Sequence, residues 1–239
     1  MERSPRSHDV GGMRHLGPIE VEQDEPVFHS DWEAKVFGIT MATLGKGLFS
    51  LEEFRGGIED IHPVSYMDAS YYERWLVTLE RWLVQGGVLT PEEIDERTRE
   101  LALHPDRPVP QVDDPQFADI MVSVCRGGIP LTREVDREPR YALGDRVRAV
   151  GTDTTWHTRL PAYARGKVGE VVRIDAAYVF PDTNALREGE NPEHTYGVRF
   201  EAKPRRTYTA RVDEQGQASK VFRVWVVDDI GAIVAPGKP

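Results

Sequence analysis

The residue pattern of this chain changes near residue 140, and this change limits the possible folds more than any other feature. Before it, apolar residues recur every three or four positions, as on one face of a helix. Beyond it, short runs such as Arg146–Val150 and Gly169–Ile174 alternate and are separated by glycine, proline, asparagine and aspartate. We therefore predict an α+β protein, in which an N-terminal extended arm and a helical domain precede a C-terminal SH3-like antiparallel β-barrel.

Paired capping signals indicate where the helices begin. Ser30 with Glu33, and Ser50 with Glu53, have the spacing of capping boxes, in which each side chain bonds the backbone N–H of the other residue. The most strongly patterned segment ends at Gly86 and Gly87, which favour a helix stop. We predict helices at about 30–44, from 50 to before Pro63, at about 70–85, from 90 onwards, and at about 115–126.

The order of these elements predicts four segments. Residues 1–29 are rich in glycine and proline and have no apolar period, so we expect an extended arm that either stays mobile or wraps over a partner subunit. Residues 30–127 are predicted to form the helical domain, residues 128–140 a linker, and residues 141–239 the barrel.

Composition argues against several classes of function. The formal net charge of −10 disfavours a nucleic-acid-binding protein, and we interpret the basic run Lys203–Arg211 as a solvated hairpin. No apolar run approaches the ~20 residues of a membrane span, and the polar N-terminus predicts no secretory signal. The single cysteine, Cys125, rules out an internal disulfide and cysteine-rich metal motifs. We expect a cytoplasmic protein without nucleic-acid or membrane partners, whose metal, if one is involved, sits on another chain.

Three clusters could carry chemistry, and each has a plain structural alternative. In the first, Glu52 and Glu53 precede Phe54 and Arg55. Successive charges on a short helix most often form a solvated face, and the residues alone favour that interpretation. Arg55 gains interest because Phe54 and Leu51 could partly bury its guanidinium, and a buried arginine needs an anion.

The other two clusters are aromatic and basic. Tyr71, Tyr72 and Trp75 have the spacing of a core stripe, but adjacent helical residues point about 100° apart, so one phenol remains available to a cleft. The loop His157–Gly169 contains Arg165, and its spacing leaves open whether it is an ordinary barrel loop or an anion clamp. From the residues alone, the sequence predicts an architecture and several arginines, but no reaction.

The same clusters occur, in order and at the same spacing, in one known family. The matching motifs are Asp9-Val10-Gly11-Gly12-Met13, Glu53-Phe54-Arg55, Ser70-Tyr71-Tyr72-x-x-Trp75, His157-Thr158-Arg159-Leu160-Pro161-x-Tyr163-x-Arg165-Gly166-Lys167, and Tyr178-Val179-Phe180-Pro181-Asp182. On these motifs, residues 9–201 resemble the β subunits of nitrile hydratases.

The resemblance implies an αβ heterodimer or α2β2 heterotetramer that hydrates small nitriles to amides. It implies that the α subunit binds low-spin Co(III) or Fe(III) through cysteines, two of them oxidised to sulfenic and sulfinic acids, and that this chain binds no cofactor. Arg55 and Arg165 match the family arginines that hold the oxidised sulfurs, and Tyr71 matches a tyrosine that hydrogen-bonds toward the metal-site loop. The implied wall of the nitrile pocket consists of Leu51, Phe54, Tyr72 and Trp75.

Three segments depart from the family pattern. Ala162 stands where a basic residue is usual, Lys203–Arg206 replaces Glu-Leu-Trp-Gly, and Val224–Asp228 replaces the closing Asp-Leu-Trp-Glu strand. Two of the three departures lie beyond residue 200, and none affects Arg55 or Arg165.

Other functions fit parts of the pattern. A thiocyanate hydrolase-type hydratase is one alternative, but that enzyme divides this chain between two polypeptides. A non-catalytic, metallochaperone-like accessory protein is another, but such proteins usually lack the arginine-bearing barrel. A nucleic-acid-binding SH3-like module is the plain interpretation of the barrel, and the acidic balance disfavours it.

Overall fold

A computed structural model of the chain describes residues 7–9, 22–110, 112–151 and 156–200, together with the backbone of short strands between residues 211 and 234. The chain divides into two compact units. One unit is Gln23–Pro130, and the other combines Met1–Glu22 with Leu131–Pro239.

The first unit is helical, and the predicted helices are confirmed close to their predicted bounds. Ser50 and Glu53 form the predicted capping box, with Glu53 accepting from the Ser50 N–H at 2.7 Å. Thr90 and Glu93 form an equivalent box. The helices are α1 (Asp31–Gly45), α2 (Leu51–Glu59), α3 (Pro63–Asp68), α4 (Tyr71–Gln85), α5 (Pro91–Leu103) and α6 (Pro115–Gly127).

The capping box predicted at the start of α1 is wrong. Ser30 occupies the N-cap position, but its side chain makes no capping hydrogen bond. The Glu33 carboxylate accepts instead from the backbone N–H of His29, at 2.5 Å. Because Glu33 is buried, this bond to the residue before the cap satisfies a carboxylate that water does not reach freely.

Helix α3 was not among the sequence predictions. Pro63 follows the end of α2, as predicted, but it also begins a new helix. Proline suits the first helical position because its fixed φ is already helical and its missing N–H is not needed there. His62 supports the start, since its Nδ1 accepts from the Val64 N–H at 3.4 Å.

Helices α2 and α4 approach each other closely at Gly57. A Cβ on Gly57 would lie 2.7 Å from Thr78 Cγ2 and 2.7 Å from Trp82 Nε1, so a larger residue would force these side chains to move. Next to this contact the buried ring of Phe54 stacks on Phe49, with their centroids 5.8 Å apart. The contact at Gly57 therefore holds one face of α2 against α4.

The second unit is an antiparallel sheet. Its described strands are β1 (Thr132–Arg133), β2 (Arg146–Ala149), β3 (Val168–Tyr178), β4 (Glu193–Phe200), β5 (Arg211–Val212), β6 (Ala218–Ser219), β7 (Val221–Val224) and β8 (Ile233–Val234). They pair in the order β7-β4-β3-β2-β8, β1 also pairs with β3, and β5 and β6 form a separate pair. A 3₁₀ turn (Ala162–Ala164) precedes β3, and a short helix α7 (Pro181–Ala185) follows it.

The α+β class and the antiparallel strands are confirmed. Among the described strands, however, β7 and β8 are the two ends of an open path rather than neighbours in a closed barrel. Strand β3 also runs further than the predicted Gly169–Ile174. Its pairing with β4 shifts register between Val171 and Arg173 and again between Ile174 and Ala177, and these irregularities break the alternation on which the prediction relied.

Buried side chains of β2, β3, β4 and the 3₁₀ turn form the core of this unit. The fully buried Tyr196 also ties in the segment before β2, because its hydroxyl accepts from the Arg140 backbone N–H at 2.9 Å. The members of this core cluster include Val147, Ala164, Val171, Tyr196 and Val198.

Several sequence predictions lie outside the described residues. They are the arm motifs between residues 10 and 19, the basic run at 203–210, and the proposed closing strand at 225–228. Within the parts of the chain that are described, no helix has both the length and the apolar character needed to cross a membrane.

Two helical glycines give a matched test of the α2–α4 contact. Gly57→Ala is expected to lower the free energy of unfolding by about 1–3 kcal/mol, because the added methyl overlaps Thr78 and Trp82. Gly38→Ala, within α1 where a Cβ meets nothing within 4 Å, is expected to raise it by about 0.5–1 kcal/mol. Urea unfolding of the full-length variants measures both values. An unchanged free energy of unfolding for Gly57→Ala would contradict the close approach.

Candidate functional site

Arg55 lies on α2 directly after the buried Phe54. Its Nη1 donates to Glu52 Oε1 at 2.8 Å, one helical turn earlier. The side chain of Glu52 is only 5% exposed, whereas that of Arg55 is 38% exposed. The guanidinium is thus held by a buried carboxylate and remains accessible from outside the unit.

The interpretation of this charge run as a solvated face is wrong. Glu52 and Glu53 are both buried, each at 4% exposure. Glu53 is buried because it closes the capping box with Ser50, and Glu52 is buried beside Arg55. A buried carboxylate is costly unless it is paired or hydrogen-bonded, and here both conditions are met locally.

The aromatic candidates lie together beside α2. The Phe54 and Trp75 rings meet edge to face with centroids 5.1 Å apart, and Trp75 contacts Tyr72 at 5.6 Å. Tyr72 in turn meets Tyr71 at 5.1 Å. Phe54 is buried, Tyr72 and Trp75 are half-buried, and Leu51 is half-buried at the start of α2. The structure therefore brings five of the predicted residues into one helical unit with Arg55.

The two tyrosines differ in exposure, although both rings contact Trp75, with centroids 5.5 and 5.6 Å from it. Tyr71 is 61% exposed, whereas Tyr72 packs against Phe28 with centroids 5.5 Å apart. Burial raises the pKa of the Tyr72 phenol above its usual value, and the neighbouring Tyr71 and Glu33 raise it further. Tyr71 is thus the more exposed of the two tyrosines.

Arg165 lies immediately after the 3₁₀ turn of the second unit. Its Nη2 is 3.7 Å from Asp9 Oδ2 and 3.5 Å from the Leu160 carbonyl oxygen. The same Asp9 oxygen accepts from the Ala162 N–H at 2.8 Å. The side chains of Arg165 and Asp9 are 19% and 10% exposed. This arginine is therefore held close to the surface by a residue of the N-terminal segment.

The backbone around Arg165 is fixed by the core and by β2. Ala164 is buried in the core cluster, and the Gly166 N–H donates to the Ala149 carbonyl at 3.0 Å. Gly166 has a φ of +67°, a conformation that favours glycine. Arg148 adds a bond from Nη1 to the Gly166 carbonyl at 3.1 Å. The backbone that carries Arg165 is thus anchored to β2 and to the core.

Arg55 and Arg165 belong to different units, one helical and one built on the sheet. Each presents a guanidinium whose planar set of N–H donors suits an oxyanion. Their carboxylate partners, Glu52 and Asp9, were not predicted as site residues. The spacing of Glu52 and Arg55 on one helix could have indicated their ion pair. No local signal links Asp9 to Ala162, 153 positions away, or to Arg165.

The only cysteine of the sequence, Cys125, is exposed on α6. The cysteine-rich metal site that the resemblance implies cannot be assembled from this chain.

Two family models match successive parts of the sequence. The model described as nitrile hydratase beta subunit, N-terminal, matches residues 5–118. The model described as nitrile hydratase beta subunit, C-terminal, matches residues 130–222. The match includes all the candidate residues in both units.

Individual proteins agree with the family models. The low-molecular weight cobalt-containing nitrile hydratase subunit beta of Rhodococcus rhodochrous is 45% identical over 197 residues, which cover 82% of this chain and 87% of that protein. The cobalt-containing nitrile hydratase subunit beta of Pseudonocardia thermophila is 41% identical over 196 residues, covering 82% and 84%. The thiocyanate hydrolase subunit beta of Thiobacillus thioparus matches a shorter stretch, 32% identical over 95 residues, covering 39% and 58%. Because two family models and two high-coverage relatives agree along the chain, it belongs to the nitrile hydratase β-subunit family.

Proposed function

We propose that this chain acts with an α subunit as a nitrile hydratase that converts small nitriles to amides. The complex is an αβ heterodimer or an α2β2 heterotetramer, and its Co(III) or Fe(III) is bound by the α subunit. The observation that supports this role is the Arg55 guanidinium, held by the buried Glu52 at 2.8 Å yet 38% exposed, beside an aromatic cluster.

The role proposed for Arg55 follows from its geometry. A guanidinium has five N–H donors, and the bond from Nη1 to Glu52 occupies one of them. The remaining donors can bind the oxygens of an oxidised cysteine from the α subunit. Arg165 is proposed to bind a second such oxygen. The two arginines neutralise and orient anionic groups that this chain does not itself contain.

The aromatic cluster is proposed as part of the nitrile pocket. Pockets for small ligands are largely apolar with a few polar groups. The half-buried Leu51, Tyr72 and Trp75 supply apolar surface, and the buried Phe54 packs behind Trp75. The hydroxyl of the exposed Tyr71 is proposed to donate toward the metal-site loop of the α subunit. Apolar walls also exclude water from the reacting nitrile, which strengthens each electrostatic contact there.

The metal, when bound by the α subunit, supplies a Lewis acid for the nitrile. This chain's residues act around it: the arginines hold the oxidised sulfur groups, and the aromatic side chains position the substrate. Cobalt is the metal to test first, because two high-coverage relatives are named as cobalt-containing.

The finer architecture is also part of the proposal. Residues 1–29 are proposed to wrap the α subunit, and residues 141–239 to close as an SH3-like barrel in the assembled protein. The irregular register between β3 and β4 supports closure, because such bulges increase the twist and bend of a strand. The single cysteine supports a reducing, cytoplasmic location.

Thiocyanate hydrolysis is the less favoured alternative. The match to the thiocyanate hydrolase subunit covers 39% of this chain, whereas the nitrile hydratase relatives cover 82%. A single chain that contains both the helical unit and the arginine loop fits the nitrile hydratase subunit better.

Co-expression with the α subunit tests the proposed function. The purified complex is expected to hydrate a small nitrile to its amide and to contain cobalt or iron, whereas this chain purified alone is expected to contain neither metal. Amide formation and elemental analysis provide the two measurements. Metal transfer without hydration would identify an accessory protein instead. Conversion of thiocyanate in preference to nitriles would identify a thiocyanate hydrolase.

Arg55→Lys tests the arginine assignment, because lysine keeps the charge and loses the planar set of donors. We expect kcat for nitrile hydration to fall by roughly 100-fold while the complex still assembles. The control is Arg97→Lys, which alters another arginine paired with a glutamate one turn away, at 2.7 Å on α5. Size-exclusion chromatography checks assembly in both variants. Full activity in Arg55→Lys would refute the assignment.

A further inference from the structure

The N-terminal segment contributes a carboxylate to the arginine loop. Asp9 Oδ2 lies 3.7 Å from Arg165 Nη2 and accepts the Ala162 N–H at 2.8 Å. One carboxylate oxygen thus contacts both the start of the 3₁₀ turn and the guanidinium just beyond its end. Two partners at two positions of one turn define where Arg165 sits relative to the backbone.

The burial of this pair strengthens the attraction between the two charges. The Asp9 and Arg165 side chains are 10% and 19% exposed, so water screens their charges less than it screens a surface pair. Water screens the charges of a surface pair such as Arg173 and Asp175 more strongly, since the Arg173 side chain is 43% exposed. Asp9 therefore limits the orientations that the Arg165 guanidinium can adopt.

We propose that Asp9 is a positioning residue for Arg165, so that the N-terminal arm sets the geometry of the arginine loop. The functional part of this inference rests on the proposed role of Arg165 in binding an oxyanion of the α subunit. The structural part, that Asp9 restrains the Arg165 guanidinium, does not depend on any partner.

The positioning role differs from a general role in folding. Asp9→Asn keeps an oxygen that can accept the Ala162 N–H, but it removes the charge that attracts Arg165. Asp9→Ala removes both contacts. If Asp9 positions the guanidinium, both variants release Arg165, while Asp9→Asn leaves the thermal stability of the chain nearly unchanged.

Arginine-specific labelling tests the structural part in the full-length chain. Phenylglyoxal modification, located by peptide mass spectrometry, is expected to be about threefold faster at Arg165 in Asp9→Asn and Asp9→Ala, because loss of the ion pair exposes the guanidinium more often. Asp175→Ala is the matched control, because Asp175 binds Arg173 through two hydrogen bonds on β3. This control is expected to speed labelling at Arg173 and leave Arg165 unchanged. Equal Arg165 rates in all four proteins would overturn the inference.

Kinetics of the co-expressed complex test the functional part. Asp9→Asn is expected to lower kcat for nitrile hydration by roughly tenfold with little change in KM, because a misplaced arginine weakens transition-state stabilisation rather than substrate binding. Asp175→Ala is expected to leave both constants unchanged. Faster Arg165 labelling with unaltered kcat would overturn the catalytic positioning role. If the unaltered complex hydrated no nitrile, the proposed function would fall, and the labelling rates alone would still decide whether Asp9 restrains Arg165.

Discussion

The close approach of α2 to α4 at Gly57 is the contact on which the helical candidate site depends. Because Gly57 has no side chain, the side chains of α4 reach the backbone of α2. That approach buries Phe54 against the rings of its neighbours and leaves Arg55, the next residue, at the rim. The cluster then continues from Phe54 along α4 through Trp75, Tyr72 and Tyr71. The position of the arginine proposed to bind an oxyanion and that of the proposed pocket wall therefore both follow from the packing of α2 against α4.

Both candidate arginines are already paired with a carboxylate of their own chain. The Glu52–Arg55 pair is local, since the two residues face each other across one helical turn. The Asp9–Arg165 contact is long-range, and the same carboxylate accepts from Ala162, 153 residues further along the chain. A long arginine side chain loses much rotamer freedom when it is fixed. If each carboxylate restricts its arginine, less of this entropy remains to be lost in the proposed binding of a partner's oxyanion.

Much of the fold, and less of the site, could be predicted from the sequence. The capping box at Ser50 located α2 because its hydrogen bonds are local. The length of β3 could not be predicted, since its register shifts interrupt the alternation that defines a strand in the sequence. The burial of Glu52 was missed because a run of charges usually indicates a solvated face, and only the packed helix excludes water there. The contact of Asp9 could not be predicted at all, because it depends on the folded path of the chain.

The arrangement of charge explains why the proposed contribution of this subunit is orientation rather than charge alone. A guanidinium between its own carboxylate and a partner's oxyanion is one cation shared by two anions, so the first anion offsets part of its attraction for the second. The carboxylate does not change the directions in which the other N–H donors point, because the guanidinium is planar and its donors are fixed relative to one another. A lone, freely moving arginine would attract an oxyanion more strongly at a distance but bind it with poorer geometry. The Glu52 carboxylate, 2.8 Å from Arg55, thus favours a defined contact over a strong field, and a defined contact suits the proposed binding of oxidised sulfur groups.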